Sequence, residues 1–399
     1  DMTSTAEWKE LESKYYMFLV RRQPMVLERG EGARVWDVDG KEYLDFTSGW
    51  AVNNAGHSNP VIAEAIAEQA KTLVQTSNQF YTIPQLRLAE ILVENSCLDK
   101  IFICNSGAEA NEGAIKLAKK YGKKNKNGAY HIITALNSFH GRTMMNVSAT
   151  GQPHYQELFE PIPTGFSHVP YNDLEAVKEA TTDNTVAVMI EPVQGEGGVN
   201  VPSVEYLKGV RDWCDENNML LIFDEVQTGL GRLGTLFGYQ SFGVEPDIIT
   251  LAKGLGGGVP IGAFLAKDSA CAFDPGDHGS TFGGNPLTCA AAHASTKYII
   301  DNEISENAAK MGEYLGEGLR KIQSNNEFIT DVRGMGLIWA VEFDSDMTPD
   351  VIAASNEAGL LMNPMRPNAV RLMPVLTITK EEIDEALARL ETGLANASK

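Results

Sequence analysis

The fold of this chain is decided by residues 220–258, which read LLIFDEVQTGLGRLGTLFGYQSFGVEPDIITLAKGLGGG. An apolar run over residues 219–223 is short enough to be a buried strand and is followed at once by Asp224. A second run over residues 247–251 ends just before Lys253, which stands among glycines. The sequence therefore predicts two strands that deliver a carboxylate and an amine at their carboxyl ends.

Asp224 and Lys253 together suit one cofactor. Ligands of parallel sheets bind beyond the carboxyl ends of the strands, so the two side chains can meet in one crevice. Lys253 has no obvious salt-bridge partner in the sequence and is suited to covalent bonding with a carbonyl. Pyridoxal phosphate (PLP) needs a lysine for its Schiff base and a carboxylate that keeps its ring nitrogen protonated. Taken alone, these residues also fit a solvated lysine and a helix cap.

Residues 229–234 offer a competing interpretation, because they spell G-x-G-x-x-G after a strand. This pattern is typical of dinucleotide binding when it opens a helix inside a βαβ unit. Residues 235–239 do not predict the start of such a helix, and no unit of the right length follows. The nicotinamide-dependent oxidoreductase that this pattern would imply is therefore disfavoured.

Length, net charge, apolar stretches and cysteine spacing disfavour several classes of partner and site. The 399 residues suit one large domain and a smaller one, and the formal net charge of −20 disfavours nucleic acid and anionic membranes as partners. No apolar stretch approaches the roughly 18 residues of a membrane-spanning helix, and residues 15–20 are too short for a signal core. We therefore expect a cytoplasmic protein. Five dispersed cysteines show no zinc-type spacing, so no metal is predicted.

Polar groups follow other predicted strands as well. Ser106 and Gly107 come after a strand at residues 100–104 and open an alanine-rich helix, whose free N–H groups could hold a phosphate. Phe139 and Arg142 follow a strand at residues 131–135 and could stack on a flat ring and bind a carboxylate. Each feature alone is more typical of an ordinary capped helix, core aromatic or solvated arginine, but together they support one crevice.

Strands and helices are predicted to alternate from about residue 100 to about residue 270, which indicates an α/β fold with a mainly parallel sheet covered by helices on both faces. Residues 33–46 predict a β-hairpin around Asp39 and Gly40. We expect a large domain over residues 51–294. A small α+β domain is expected from residues 1–50 and 295–399.

Six strings carry a family resemblance: SGAEANE, FHGRT, EPVQGEGG, LIFDEVQTGLGR, LAKGLGGGVPIGA and HGSTFGGNPL. They resemble the class III (ornithine-type) aminotransferases of PLP fold type I, most closely the acetylornithine aminotransferase family. The resemblance implies a PLP enzyme with a seven-stranded-type sheet. It also implies ping-pong transfer of the δ-amine of N-acetylornithine to 2-oxoglutarate, giving N-acetylglutamate semialdehyde and glutamate.

The resemblance also implies how the cofactor ring is held. Lys253 would form the Schiff base and then shuttle the proton, while Asp224 would pair with the ring nitrogen. Val226 would pack under the ring and Phe139 over it. Gln227 would reach the phenolic oxygen.

The phosphate would be bound by Ser106, Gly107 and Ala108, according to the same resemblance. Thr281 of a second subunit would join them, which implies a homodimer with shared active sites.

Four residues are implied in substrate binding. Arg142 would hold a substrate carboxylate, and Ser280 of the neighbouring subunit would approach the acylated end of the donor. Glu196 and Arg371 would pair when the donor binds and separate when the α-carboxylate of 2-oxoglutarate takes Arg371.

Donor identity stays open at this point. N-succinyldiaminopimelate, ornithine, 4-aminobutyrate and broad ω-amines are alternatives within the same class of enzyme, and an aminomutase shares the fold. A binding or scaffold protein on this fold would leave Lys253 and Asp224 without a purpose.

Overall fold

Strands and helices alternate along the described chain, residues 4–397 of a computed structural model. The strands are β1 Leu27–Glu31, β2 Arg34–Asp37, β3 Glu42–Asp45, β4 Lys100–Cys104, β5 His131–Ala135, β6 Phe166–Val169, β7 Thr185–Ile190, β8 Leu220–Asp224, β9 Ile248–Leu251, β10 Gly262–Ala266, β11 Ile329–Met335, β12 Ile338–Phe343, β13 Leu360–Leu361, β14 Asn363–Arg366 and β15 Ala369–Leu372. The helices are α1 Thr5–Tyr15, α2 Ser48–Ala51, α3 Pro60–Thr72, α4 Ile83–Glu94, α5 Gly107–Asn125, α6 Met144–Ala149, α7 Pro153–Glu157, α8 Leu174–Ala180, α9 Val204–Glu216, α10 Gly238–Phe242, α11 Pro286–Asp301, α12 Ile304–Ser324, α13 Thr348–Glu357 and α14 Lys380–Ala397.

A seven-stranded sheet forms the centre of the molecule, with strand order β4-β10-β9-β8-β7-β5-β6. Only β10 within this sheet runs against its neighbours β4 and β9, while the remaining pairings are parallel. Every residue of β7, β8, β9 and β10 is buried. Continuous burial is typical of a parallel sheet covered on both faces. The predicted α/β fold with a mainly parallel sheet is confirmed.

Alternate residues of one strand serve the two faces of this sheet. Ile222 of β8 packs in a core cluster with Ile115 of α5, whereas Leu221 and Phe223 pack in another with Leu207 of α9. Side chains of a strand alternate between faces, so one apolar run can bind both layers of helices. The β8 strand is thereby held rigidly just before the polar residues that follow it.

Two smaller sheets bring the chain ends together. One has the order β1-β2-β3-β13 and the other β11-β12-β15-β14. The hairpin of β2 and β3 turns at Gly40, whose φ is +84°, and confirms the predicted hairpin. β13 pairs in parallel with β3, so the C-terminal part of the chain completes the N-terminal sheet. The boundaries at 50/51 and 294/295 stay predictions; the second falls within α11, which is continuous.

Within residues 4–397, none of the helices combines the length and apolar character that crossing a membrane requires.

Candidate active site

Asp224 and Lys253 lie at the ends of neighbouring strands. β8 ends at Asp224 and β9 ends at Leu251, and the register of these parallel strands places Asp224 opposite Thr250. Both side chains therefore emerge at the carboxyl edge of the sheet. There they line a single cavity of about 390 Å³. A cavity of this size is typical of sites for small molecules.

Asp224 is 4% exposed and its carboxylate is surrounded by donors. Oδ2 accepts a hydrogen bond from Asn111 Nδ2 at 2.9 Å and lies 2.8 Å from His140 Nδ1, and Oδ1 accepts one from the backbone N–H of Val226 at 2.9 Å. A carboxylate in contact with His140 Nδ1 requires the proton on that nitrogen. These donors offset the cost of burying the charge.

Asn111 and His140 were not predicted as site residues, although they lie inside the motifs SGAEANE and FHGRT. The only signal in the sequence was indirect, because a buried carboxylate needs buried donors. Which residues supply them depends on how α5 and the segment after β5 pack beside β8.

Lys253 has a charged neighbour that its own sequence context did not reveal. Its Nζ lies 3.9 Å from Glu196 Oε1, so the expectation that it has no salt-bridge partner was wrong. Burial lowers the pKa of the Lys253 ammonium, and the charge of Glu196 opposes that shift. Its backbone is left-handed, with φ of +44°. A strained backbone at a cavity wall is typical of a functional residue.

Glu196 also pairs with Arg371, which is 2% exposed and belongs to β15. Arg371 Nη2 lies 3.0 Å from Glu196 Oε1, and Gln227 Nε2 donates to the same oxygen at 3.3 Å. Arg371 Nη1 in turn donates to Gln227 Oε1 at 3.4 Å. Burial would raise the pKa of Glu196, but Arg371 and Lys253 together lower it. These contacts favour the ionised form of Glu196, whose carboxylate covers the buried guanidinium of Arg371.

The start of α5 forms one wall of the cavity, through Ser106, Gly107 and Ala108. Ser106 caps the helix as predicted, since its Oγ accepts a hydrogen bond from the N–H of Glu109 at 3.1 Å. A Cβ on Gly107 would lie 2.8 Å from Val226 Cγ1. The missing side chain therefore lets the positive end of the helix approach Val226.

Phe139 belongs to the cavity wall, whereas Arg142 is not among the residues that line the cavity. Phe139 lines the cavity together with Val226. Arg142 is exposed, and its guanidinium lies over the rings of Phe139 and Tyr155, at 5.8 Å and 4.9 Å from their centroids. Among residues 4–397, no carboxylate lies within ion-pair distance of Arg142. Its charge is available to a ligand.

Ser280 and Thr281 do not line the cavity of their own protomer. Ser280 Oγ accepts a hydrogen bond from Asn105 Nδ2 at 3.1 Å, and Asn105 does line the cavity. Thr281 is exposed. The segment therefore lies next to a residue of the cavity wall, and its two hydroxyl groups lie outside the cavity.

Glu191 is a third carboxyl group in the cavity wall, besides Asp224 and Glu196, and it was not predicted as a site residue. It is 7% exposed, and its Oε2 has no hydrogen-bond partner within the described part of the chain. Burial, followed by the charge of Asp224, raises the pKa of Glu191 well above its usual range.

The sequence and the structure of this chain are similar to those of known proteins. Residues 17–394 match the family described as Aminotransferase class-III. The acetylornithine aminotransferase of Methanocaldococcus jannaschii is 50% identical over 399 residues, covering 99% of this chain and 100% of the relative. The acetylornithine aminotransferase structure from Elizabethkingia anophelis has a TM-score of 0.89 at 37% identity, covering 99% and 100%. An ornithine aminotransferase from Toxoplasma gondii, with PLP at partial occupancy in its active site, has a TM-score of 0.97 at 35% identity, covering 100% and 97%.

Proposed function

The chain belongs to the class-III aminotransferases, and we propose that it transfers the δ-amino group of N-acetylornithine to 2-oxoglutarate by a ping-pong mechanism. The products are N-acetylglutamate semialdehyde and glutamate. The observation that carries the choice of substrates is the unequal state of two arginines: Arg371 is covered by Glu196, whereas Arg142 has no carboxylate partner among residues 4–397.

The unequal arginines match the charges of the two substrates. N-acetylornithine has one carboxylate, which Arg142 alone can bind while Glu196 stays on Arg371. 2-Oxoglutarate has two carboxylates, so it requires Arg371 as well, and Glu196 must then release it. Arginine forks bind carboxylates in pairs of hydrogen bonds, which fixes the orientation of each substrate. Ser280 of a second copy approaches the acylated end of the donor.

The enzyme is PLP-dependent, as the class-III family is, and the residues present fit the cofactor. An amine and a buried carboxylate face one cavity, and Gly107 leaves the start of α5 free of a side chain. When bound, PLP supplies the aldehyde that takes up the amino group and a protonated ring that accepts negative charge. Lys253 would hold the aldehyde and would afterwards move the proton of the donor carbon. Asp224 would keep the ring nitrogen protonated, which would stabilise the transition state more than the ground state.

Other cavity residues would hold the cofactor in place. Val226 and Phe139 would pack against the two faces of its ring, and Gln227 would reach its phenolic oxygen. The start of α5 is proposed to bind its phosphate through Ser106, Gly107 and Ala108, because helix N-termini favour anions. Thr281 of a second copy completes the phosphate site.

We further propose a homodimer with shared active sites, supported by an exposed apolar surface beside the cavity entrance. Gln75, Asn78 and Gln85 donate hydrogen bonds to backbone carbonyl oxygens of residues 281–284. The surface around them is formed by Phe80, Tyr81, Ile83 and Phe282, which are 62–93% exposed. Contiguous apolar patches of this kind mark interfaces. A second copy would cover them and bring its Ser280 and Thr281 to this cavity.

A donor panel tests the function. The purified holoenzyme is mixed in turn with N-acetylornithine, ornithine, N-succinyldiaminopimelate, 4-aminobutyrate and a simple aryl amine, and the visible absorbance of the bound cofactor is followed. We expect N-acetylornithine to react fastest, and Arg142→Ala to remove that advantage. Equal rates with simple amines would replace the proposal with a broad ω-transaminase. Faster reaction with ornithine would make the enzyme an ornithine aminotransferase.

A further inference from the structure

The loop that carries Glu196 is tied to the large sheet at its base. Residues 194–200 are closed by reciprocal backbone hydrogen bonds between Gln194 and Asn200, at 3.1 Å and 3.0 Å. Gln194 Nε2 also donates to the carbonyl oxygen of Leu136, directly after β5, at 2.9 Å. The base of the loop is therefore fixed to the end of β5, while Glu196, within the loop, lines the cavity.

The tip of the loop is held from another part of the fold. Arg333 of β11 donates to the carbonyl oxygen of Gly198 through Nε at 2.9 Å and through Nη2 at 2.7 Å. Arg366 of β14 donates to the carbonyl oxygen of Gly197. Both arginines belong to the four-stranded sheet that also contains Arg371. One sheet thus contacts the loop backbone and the Glu196 carboxylate.

The two glycines after Glu196 make this contact possible. A Cβ on Gly198, whose φ is +135°, would lie 2.3 Å from Arg366 Nη2. A Cβ on Gly197 would lie 1.8 Å from the carbonyl oxygen of Asn137. A side chain at position 198 would push Arg366 away from the loop, and one at position 197 would push the loop away from the backbone of Asn137.

Strand register places Arg333 and Arg371 in one row. Arg333 is opposite Ala340, and Ala340 is opposite Arg371. Residues directly opposite in antiparallel strands point to the same face, and two strand spacings separate the outer members by about 10 Å. At one end of this row Arg333 binds the loop backbone, and at the other end Arg371 binds the Glu196 carboxylate.

We propose that Arg333, assisted by Arg366, is a positioning residue that keeps Glu196 on Arg371 and thereby excludes dicarboxylates from the enzyme form that accepts the amino donor. The proposal rests on the proposed function of the Glu196–Arg371 pair. With the anchor intact, a dicarboxylate must displace Glu196 from a buried guanidinium. Without it, the loop is free to move, and Arg371 attracts carboxylates in both enzyme forms.

Glutarate is the probe for this test, because it has two carboxylates and no keto group and so binds without turnover. Its dissociation constant for the holoenzyme is measured by calorimetry for the parent, Arg333→Gln and Arg366→Gln. Asp331→Asn is the matched control, since Asp331 pairs with Arg333 Nη1 at 2.9 Å and is not among the loop contacts. Glu196→Ala removes the carboxylate that pairs with Arg371 and is the reference for an uncovered Arg371.

We expect Arg333→Gln to bind glutarate about five- to tenfold more tightly than the parent, with Arg366→Gln showing the same direction and Asp331→Asn unchanged. The KM for 2-oxoglutarate should fall and excess 2-oxoglutarate should inhibit, while kcat stays within about twofold. A merely structural role would lower kcat and melting temperature without tightening glutarate binding.

Two results would overturn the proposal. If Glu196→Ala tightens glutarate binding but neither arginine variant does, the loop does not depend on its anchors. If Glu196→Ala also has no effect on glutarate binding, the Glu196–Arg371 pair does not control the binding of dicarboxylates. Arg333 and Arg366 then have no role in excluding them. Neither result depends on which amino donor reacts fastest with the holoenzyme. A failure of this proposal can therefore be distinguished from a failure of the N-acetylornithine assignment.

Discussion

His140 Nδ1 lies 2.8 Å from Asp224 Oδ2, and both side chains are buried at the end of β8. The contact fixes the carboxylate that is proposed to hold the ring nitrogen of the cofactor. We expect His140→Ala to lower kcat about tenfold, since Oδ2 then keeps only its Asn111 donor, and to shift the pH profile of the bound cofactor's absorbance. His168→Ala, at a partly buried histidine that does not line the cavity, is the control. An unchanged absorbance profile would contradict a positioning role.

Lys253→Ala should lower turnover by at least about 10⁴-fold, because no other amine is proposed to move the proton. The control is Lys267→Ala, which removes a lysine outside the cavity. Turnover and the visible absorbance of the bound cofactor are measured together, with circular dichroism to check folding. Near-normal turnover in the folded variant would rule out the mechanism.

Gly107→Ala should weaken PLP binding to the apoenzyme about tenfold, because its Cβ would lie 2.8 Å from Val226 Cγ1 and force the two apart. Val226→Ala makes room, so the double variant should regain part of the affinity. PLP titration of apoenzyme measures this directly. A double variant that binds PLP more weakly than both single variants would show that the contact is not the cause.

Arg232 is fully buried and donates to the carbonyl oxygens of Leu337 and Pro374 and to Asn54 Oδ1, at 2.5–2.9 Å. Burial lowers its pKa to about 9. A lysine cannot reach three acceptors in a fork, so Arg232→Lys should cost roughly 3 kcal/mol of stability. The change in melting temperature is compared with that of Arg320→Lys, a surface exchange over Trp339. Equal changes in melting temperature in the two variants would show that the hydrogen bonds of Arg232 do not stabilise the contact between these segments.

Glu225 gives a pH-dependent prediction. It is fully buried, accepts hydrogen bonds from the N–H groups of Gly238 and Tyr239, and burial raises its pKa to about 7. Since the unfolded pKa is about 4.3, the folded state binds the proton more tightly. Its contribution to the free energy of unfolding therefore falls as pH rises from about 4.3 to about 7, and is constant above.

Glu225→Gln does not titrate, so its melting temperature minus that of the parent should increase between pH 5 and pH 8. The exposed exchange Glu68→Gln should give a constant difference across the same range. Melting curves of the holoenzymes at four pH values decide the point, and a difference that decreases with pH would show that the proton is not bound more tightly in the folded state.

Much of the fold could be predicted because its signals are local. The apolar runs of β7, β8 and β9 are continuous, which is typical of strands buried on both faces, and Ser106 at the start of α5 is a standard cap. The polar residues directly after those strands had to gather at one edge of a parallel sheet. Asp224 and Lys253 could therefore be assigned to one crevice before any coordinates were known.

The partners of those residues could not be derived from periodicity, because they come from distant parts of the chain. Asn111 and His140 reach Asp224 only after α5 and the segment behind β5 pack beside β8. Lys253 has a charged neighbour, Glu196, that nothing in its own sequence context indicates.

The sequence by itself determined the strands, the sheet type and the chemistry of the side chains at their ends, because each depends on residues within a few positions of one another. Tertiary structure alone decided that Arg333 and Arg371 share one row of a second sheet and that this sheet holds both the backbone and the carboxylate of the Glu196 loop. Those contacts depend on how two sheets pack against each other, which no local pattern of apolar and polar residues specifies.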